Sequence, residues 1–186
     1  VNVAQASLLN LNSTGSPDIT TWLWSTNYDP NYDINTGRFT ATSACASLDN
    51  IHTVNGTLSI DILIDPATGN FLSGSYNITG SIDDLGIYGP NLLSADIAQF
   101  GFLGEYDPME FVFNVSSGDL KTLGYYPTQV GMILSDSGCG SDFTQEFDNF
   151  PATSDTFNVP EPSSWVLLST LIISGWMAYR RQRVSR

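Results

Sequence analysis

Apolar and polar residues alternate along short stretches of this chain, and turn-forming residues separate them. Within residues 57–64, Leu58, Ile60, Ile62 and Ile64 fall on one face, and within 109–115 Phe111, Phe113 and Val115 do the same. Residues 19–25, 38–43, 70–79 and 129–135 carry similar patterns. A period of two with turns at this spacing predicts an all-β fold, an antiparallel β-sandwich or barrel-like domain. Residues 92–102, with Leu92, Leu93, Ile97, Ala98 and Phe100, fit a short helix as well as a strand.

A small internal repeat marks two of the turns. Asp33-Ile-Asn-Thr-Gly37-Arg-Phe39 and Asp65-Pro-Ala-Thr-Gly69-Asn-Phe71 share the pattern Asp-x-x-Thr-Gly-x-Phe. The Asp opens a type I turn, the Gly supplies a positive φ, and the Phe starts the next strand facing the core. Two copies make hairpins and not a solenoid, which needs at least three. Residues 150–162, with Pro151, Ser154, Asp155, Asn158 and Pro160, carry little apolar content and read as a linker. The preceding 1–149 segment is long enough for one domain with a sizeable core.

Charge sharpens the picture. All 19 acidic residues precede position 162, where only Arg38 and Lys121 oppose them, a formal −17 over that stretch. Such a body is repelled by nucleic acid and by anionic lipid. Two cysteines, Cys45 and Cys139, predict one disulfide in an exported chain, with two free thiols as the alternative. The chain begins without a basic-then-apolar leader, so export implies that one was removed or is not included in this sequence.

The last stretch has three parts. Val159-Pro160-Glu161-Pro162-Ser163 is followed by residues 163–179 without a charge, and then by Arg180, Arg181, Arg183 and Arg186. As a helix the apolar run would span about 25 Å, near the lower limit for crossing a bilayer. Trp165, Trp176 and Tyr179 sit where interfacial rings settle, and the arginines predict a cytoplasmic end for residues 180–186. The competing reading is a buried terminal helix, diluted by Ser169, Thr170, Ser174 and Gly175.

This arrangement resembles the PEP-CTERM sorting signal of Gram-negative bacteria, in all three parts and in the same order. The resemblance implies processing near Pro160–Pro162 by the membrane protease exosortase, with the catalytic groups in that enzyme. It implies a precursor in the inner membrane with a periplasmic body, then delivery to the cell surface or matrix. It also implies a structural role, with exopolysaccharide as a partner and biofilm as the setting. Pro160 and Pro162 would hold the site extended for cleavage. Residues 37–42, Gly37-Arg-Phe39-Thr-Ala-Thr42, also resemble other proteins bearing this signal.

Candidate chemistry in the body is sparse. Asp29, Asn31, Asp33 and Asn35 place oxygens at alternating positions, as calcium loops do. Ile34 and Thr40 depart from the EF-hand pattern, so an Asx-rich turn is the competing reading. His52 is the one histidine and no nucleophile-elbow pattern surrounds a serine, so no catalytic residues are assigned and the chain reads as a non-enzyme. The adjacent Asp83 and Asp84 would point to opposite faces of a strand, which disfavours a shared-proton pair. Trp22 and Trp24 would share a strand face and suit either core packing or sugar stacking. The alternative function is therefore a surface-anchored module that binds carbohydrate or calcium; no other cofactor is expected.

Overall fold

The computed structural model describes residues 8–13, 16–23, 30–102, 108–135, 143, 146 and 152–159. Among these residues nine strands form in chain order: β1 Asp18–Leu23, β2 Asn31–Asp33, β3 Arg38–Leu48, β4 His52–Ile64, β5 Phe71–Ser81, β6 Leu93–Phe102, β7 Met109–Ser117, β8 Gln129–Ser135 and β9 Ala152–Asn158. One turn of helix, α1 Asp119–Thr122, lies between β7 and β8. Each strand pairs antiparallel with its neighbour in the order β1-β9-β8-β7-β6-β5-β4-β3, and β1 pairs again with β3. The sheet thus closes into an eight-stranded antiparallel barrel, with β2 added beside the first residues of β3. Register shifts in β1, β3, β6 and at the β4–β5 pairing supply the local bends that closure requires.

Closure depends on a segment expected to be a linker. Residues 152–158 are a stave of the barrel, in register with β1 from Asp18↔Phe157 to Leu23↔Ala152 and with β8 from Val130↔Asn158 to Ser135↔Thr153. Its inward positions are polar, which hid it: Ser154 and Thr156 are 1% and 0% exposed. Thr156 Oγ1 accepts a hydrogen bond from the buried Tyr76 hydroxyl at 3.0 Å, and its carbonyl lies 3.2 Å from the Tyr126 hydroxyl. Ser154 meets Thr21 of β1 side chain to side chain. Phe157 faces outward and lies across Gly131, where an added Cβ would stand 2.7 Å from the ring.

Residues 93–102 adopt the strand alternative. Their pairing with β7 from Ser94↔Ser117 to Phe102↔Met109 places them between β5 and β7, where a helix would break the ring. The predicted faces of β4 and β7 both point inward. Leu58, Ile60, Ile62 and Ile64 are buried, as are Phe111, Phe113 and Val115. Phe111 is the centre of an aromatic stack, with ring centroids 5.8 Å from Phe39, 5.0 Å from Phe100 and 6.0 Å from Phe113. Phe143 meets Tyr32, Phe39, Phe100 and Phe102 edge-on and fills the same end of the interior. On the outside of β7, Glu110 is 4% exposed and accepts from the backbone N–H groups of Asn10 and Leu11 at 2.8 and 3.0 Å. Residues 10 and 11 are thereby held on the outer wall.

Cys45 of the expected disulfide is a buried free thiol among the described residues. The alternation Phe39, Ala41, Ser43, Cys45 along β3 turns it into the barrel, where burial pushes its pKa up to about 12. Cys139 lies outside the described residues.

The two Asp-x-x-Thr-Gly sequences are one structural device used twice. At each, the glycine N–H donates to the carbonyl of the leading aspartate at 2.8 Å, Gly37 to Asp33 and Gly69 to Asp65. Both glycines have φ of 70°. The turns sit side by side: the Gly37 carbonyl accepts from Ile64 N–H at 2.7 Å, and a Cβ on Gly37 would lie 2.1 Å from the Ile64 carbonyl oxygen. Gly37→Ala is therefore expected to cost about 1–3 kcal/mol, combining a strained φ with a backbone collision. Gly86 has a similar φ of 67° but nothing within 4 Å of an added Cβ. Gly86→Ala should cost less, and urea midpoints of the two variants measure the difference.

Candidate functional site

Among the described residues, the clearest concave feature is a shallow depression of about 440 Å³ on the outer wall of β2, β3 and β4. Asn31, Asp33, Thr36, Arg38, Thr40 and Leu63 line it. Pairing of β2 with β3 sets Asn31 opposite Thr40 and Asp33 opposite Arg38, and the β3–β4 register brings Leu63 beside Arg38. The Arg38 guanidinium is fixed by a two-point contact with Asp61: Nε to Oδ1 at 2.9 Å and Nη2 to Oδ2 at 2.5 Å. That contact holds the Asp61 carboxyl below its usual range. The surface offers a planar cation, amide and hydroxyl groups, and one exposed apolar side chain. Sequence alone assigned neither Arg38 nor Asp61 to a site; one of the two bases of an acidic body, set at the head of an alternating strand, was the available signal.

This depression includes part of the predicted calcium loop, and the loop chemistry is already committed. Asp33 Oδ1 accepts from Asn35 N–H at 2.8 Å, and Oδ2 accepts from Thr36 Oγ1 at 2.9 Å. These bonds hold the Asp33 carboxyl below its usual range. Asp65 repeats the arrangement with Ala67 N–H and Thr68 Oγ1, at 2.9 and 2.8 Å. A carboxylate locked in its own turn at both sites is the signature of an Asx turn. Asn31 and Asn35 are exposed, Asp29 lies outside the described residues, and no group of three His, Cys, Asp or Glu side chains among those described could hold a metal ion.

His52 and Asp84 pair through Nδ1 and Oδ2, joining the start of β4 to a short 3-10 turn at residues 83–85. Asp83 and Asp84 are both exposed on that turn, where Asp83 accepts from Ser81 Oγ at 2.8 Å. Trp22 belongs to β1 with its side chain outside the described set, and Trp24 lies wholly outside it. Of the sorting motif, Val159 is described: its N–H lies 3.4 Å from the Gln129 carbonyl, continuing the β8–β9 ladder. Pro160, Glu161, Pro162, the apolar run 163–179 and Arg180, Arg181, Arg183 and Arg186 lie outside the described residues. Among the described residues no helix is long and apolar enough to cross a membrane.

One electrostatic cluster has a measurable consequence. Asp18 opens β1 with a carboxylate oxygen that is enclosed and unpartnered. Burial, then Asp155 and Asp49, raises its pKa from 3.8 to about 6. A carboxyl raised in the folded state stabilises the fold below about pH 4, and that contribution disappears as pH rises through about 6. Discounted for solvent screening at this partly exposed site, the change is on the order of 1 kcal/mol. Asp18→Asn should therefore flatten the dependence between pH 4 and 6 and stabilise the protein at pH 7. Denaturation midpoints across that range read it directly; a steeper fall in the variant would contradict the assignment.

The fold is that of a closed antiparallel β-barrel with an acidic surface, and among the described residues it carries a shallow depression on its outer wall. No protein-family model matches the chain, and neither a curated protein nor a solved structure does.

Proposed function

We propose that the chain is an exported, non-enzymatic barrel that carries a PEP-CTERM sorting signal and is a substrate of an exosortase. The observation that carries this reading is the sequence of residues 159–186: Val-Pro-Glu-Pro, an uncharged apolar run, then four arginines. The fold is compatible with it, because β9 ends at Asn158 and the motif starts at the next residue. Cleavage near Pro160–Pro162 leaves every stave in the released product. In this reading residues 163–179 form the transmembrane helix of the precursor, residues 180–186 stay cytoplasmic, and the barrel faces the periplasm. After processing it reaches the cell surface or matrix as a structural component associated with exopolysaccharide and biofilm. Nucleic acid is not a partner of so acidic a body.

Mass spectrometry of the protein from cells with and without the sorting protease tests the proposal. The expected mature form ends between residues 159 and 162 only where the protease is present. An intact residue 186 in both strains would remove the reading.

A second reading is favoured by one feature, the depression around Arg38, whose fixed cation, amides and hydroxyls beside Leu63 suit the hydroxyls and apolar face of a sugar. It makes the barrel a carbohydrate-binding module at the surface. Calorimetry against a glycan panel and against calcium distinguishes it: heat with a glycan that Arg38→Ala abolishes supports this reading, and silence leaves the structural role.

A further inference from the structure

Among the described residues the connections at the two ends of the barrel differ in chemistry, and β9 finishes at one of these ends. At the end where β9 finishes, three connections cap the staves: the β3–β4 turn, the β5–β6 loop and the β7–β8 loop carrying α1. Each presents one large apolar side chain to solvent. Ile51 is 75% exposed, Tyr88 71% and Leu123 57%. The other exposed large hydrophobics among the described residues, Leu63 and Leu72, lie on the outer wall where β4 ends and β5 begins, beside the turn of the opposite end and not on it. At the opposite end the described turns are polar, built from Asp33, Asn35, Thr36 and from Asp65, Thr68, Asn70.

The apolar tips are held in place. Asp49 and Asn50 both have positive φ, 54° and 55°, and Ile51 N–H donates to the Leu48 carbonyl at 3.1 Å. This is the tight hairpin geometry that requires two left-handed residues, and it projects Ile51 beyond the sheet. The Tyr88 hydroxyl donates to the Asp83 carbonyl at 3.3 Å, so its polar end is tethered while the ring stays exposed. Leu123 follows α1, which is anchored by Leu120 N–H to the Leu92 carbonyl at 3.0 Å and by Lys121 Nζ to the Val115 carbonyl at 2.8 Å. Loop to loop, Asp119 N–H donates to the Asn91 carbonyl at 3.2 Å.

We infer that this end of the barrel is a membrane-docking surface that rests on the lipid interface of a bilayer, with Ile51, Tyr88 and Leu123 as its contact points. The inference rests on the reading of residues 163–179 as a membrane helix. Chain length commits the occupant: four residue steps separate Val159, still bonded to β8, from Ser163, where the apolar run begins. Fully extended, they reach about 14 Å. A barrel tethered that closely through β9 must face the bilayer with the β9 end, and that end is the one bearing the apolar tips. Aromatic and aliphatic side chains at loop tips suit the interfacial zone, where rings and branched chains are partly desolvated. Asp49, Asp83, Asp84 and Asp119 occupy the same rim and set the lipid class. They repel anionic headgroups, so the surface fits a zwitterionic leaflet.

The test uses the full chain reconstituted into phosphatidylcholine vesicles, in a Cys139→Ser background in which buried Cys45 is shielded. An environment-sensitive fluorophore is placed at Thr122→Cys beside Leu123, or at Ala67→Cys on the opposite rim, and quenched by headgroup-level spin-labelled lipid. Several-fold stronger quenching at position 122 than at 67 is expected. It should be lost when Ile51→Ser, Tyr88→Ser and Leu123→Ser are combined, and weakened when phosphatidylglycerol is added at low salt. A chain that stays with the vesicles through alkaline carbonate but shows equal, weak quenching at both positions overturns the docking surface and leaves the membrane anchor standing. A chain that does not stay with the vesicles removes the anchor and the docking surface together. Quenching that requires the sorting protease in the same vesicles also overturns lipid docking, because the rim would then be meeting a protein.

Discussion

A chain ended at residue 159 will unfold cooperatively, and a chain ended at residue 150 will not. The difference is the stave β9, which alone joins β1 to β8. Its loss would strip both neighbours of six paired positions each, from Asp18 to Leu23 and from Val130 to Ser135. It would also leave the buried Tyr76 hydroxyl without its acceptor on Thr156, and Thr21 without Ser154. Two open edges and unpaired buried hydroxyls together exceed the 5–15 kcal/mol of stability typical of a domain, roughly the whole of it. Urea denaturation followed by circular dichroism reads the outcome. A chain ended at 150 with the midpoint and slope of the longer one would show that the ring does not need its ninth strand.

Phe111→Ala is expected to cost about 3–5 kcal/mol, the largest effect of a single substitution in the interior. Phe111 is fully buried, and its ring lies within 6.0 Å of the ring centroids of Phe39, Phe100 and Phe113. Phe39 reaches it from β3 across the ring, Phe100 is its paired neighbour on β6 and Phe113 lies two residues along β7, so backbone pairing holds all three and they cannot collapse into the space without moving the staves. The cavity term therefore adds to the lost transfer energy. In a domain of this size each kcal/mol lowers Tm by roughly 2–4 °C, which puts the variant about 6–20 °C below the parent. Leu72→Ala, at a side chain 62% exposed on β5, is the control and should stay within about 0.5 kcal/mol. Equal effects at the two positions would mean that the aromatic stack does not organise the core.

The legible parts of the fold were those whose burial pattern is written in consecutive residues. Leu58, Ile60, Ile62 and Ile64 sit two apart and all turn inward, because successive side chains of a strand point to opposite faces. The repeated Asp-x-x-Thr-Gly was legible for a similar reason: carboxylate, hydroxyl and glycine N–H all act within five residues of chain. The same locality underlies the calcium reading, since alternating oxygens look alike whether they face an ion or their own backbone. Residues 152–158 were not legible. Their inward Ser154 and Thr156 are satisfied by Thr21 and Tyr76, which lie far away in the chain, so polar residues pass for linker. Cys45 takes its place from its neighbours: the inward run from Phe39 makes it a core position.

By itself the sequence determined the all-β character, the acidic surface, the two matched turns and the three-part pattern of residues 159–186, because each rests on local periodicity, composition or contiguous motif. Tertiary structure alone decided that the sheet closes, which stave closes it, and which end of the barrel gathers Ile51, Tyr88 and Leu123. Those are consequences of strand register, and register is set by pairing between segments that no stretch of sequence contains together.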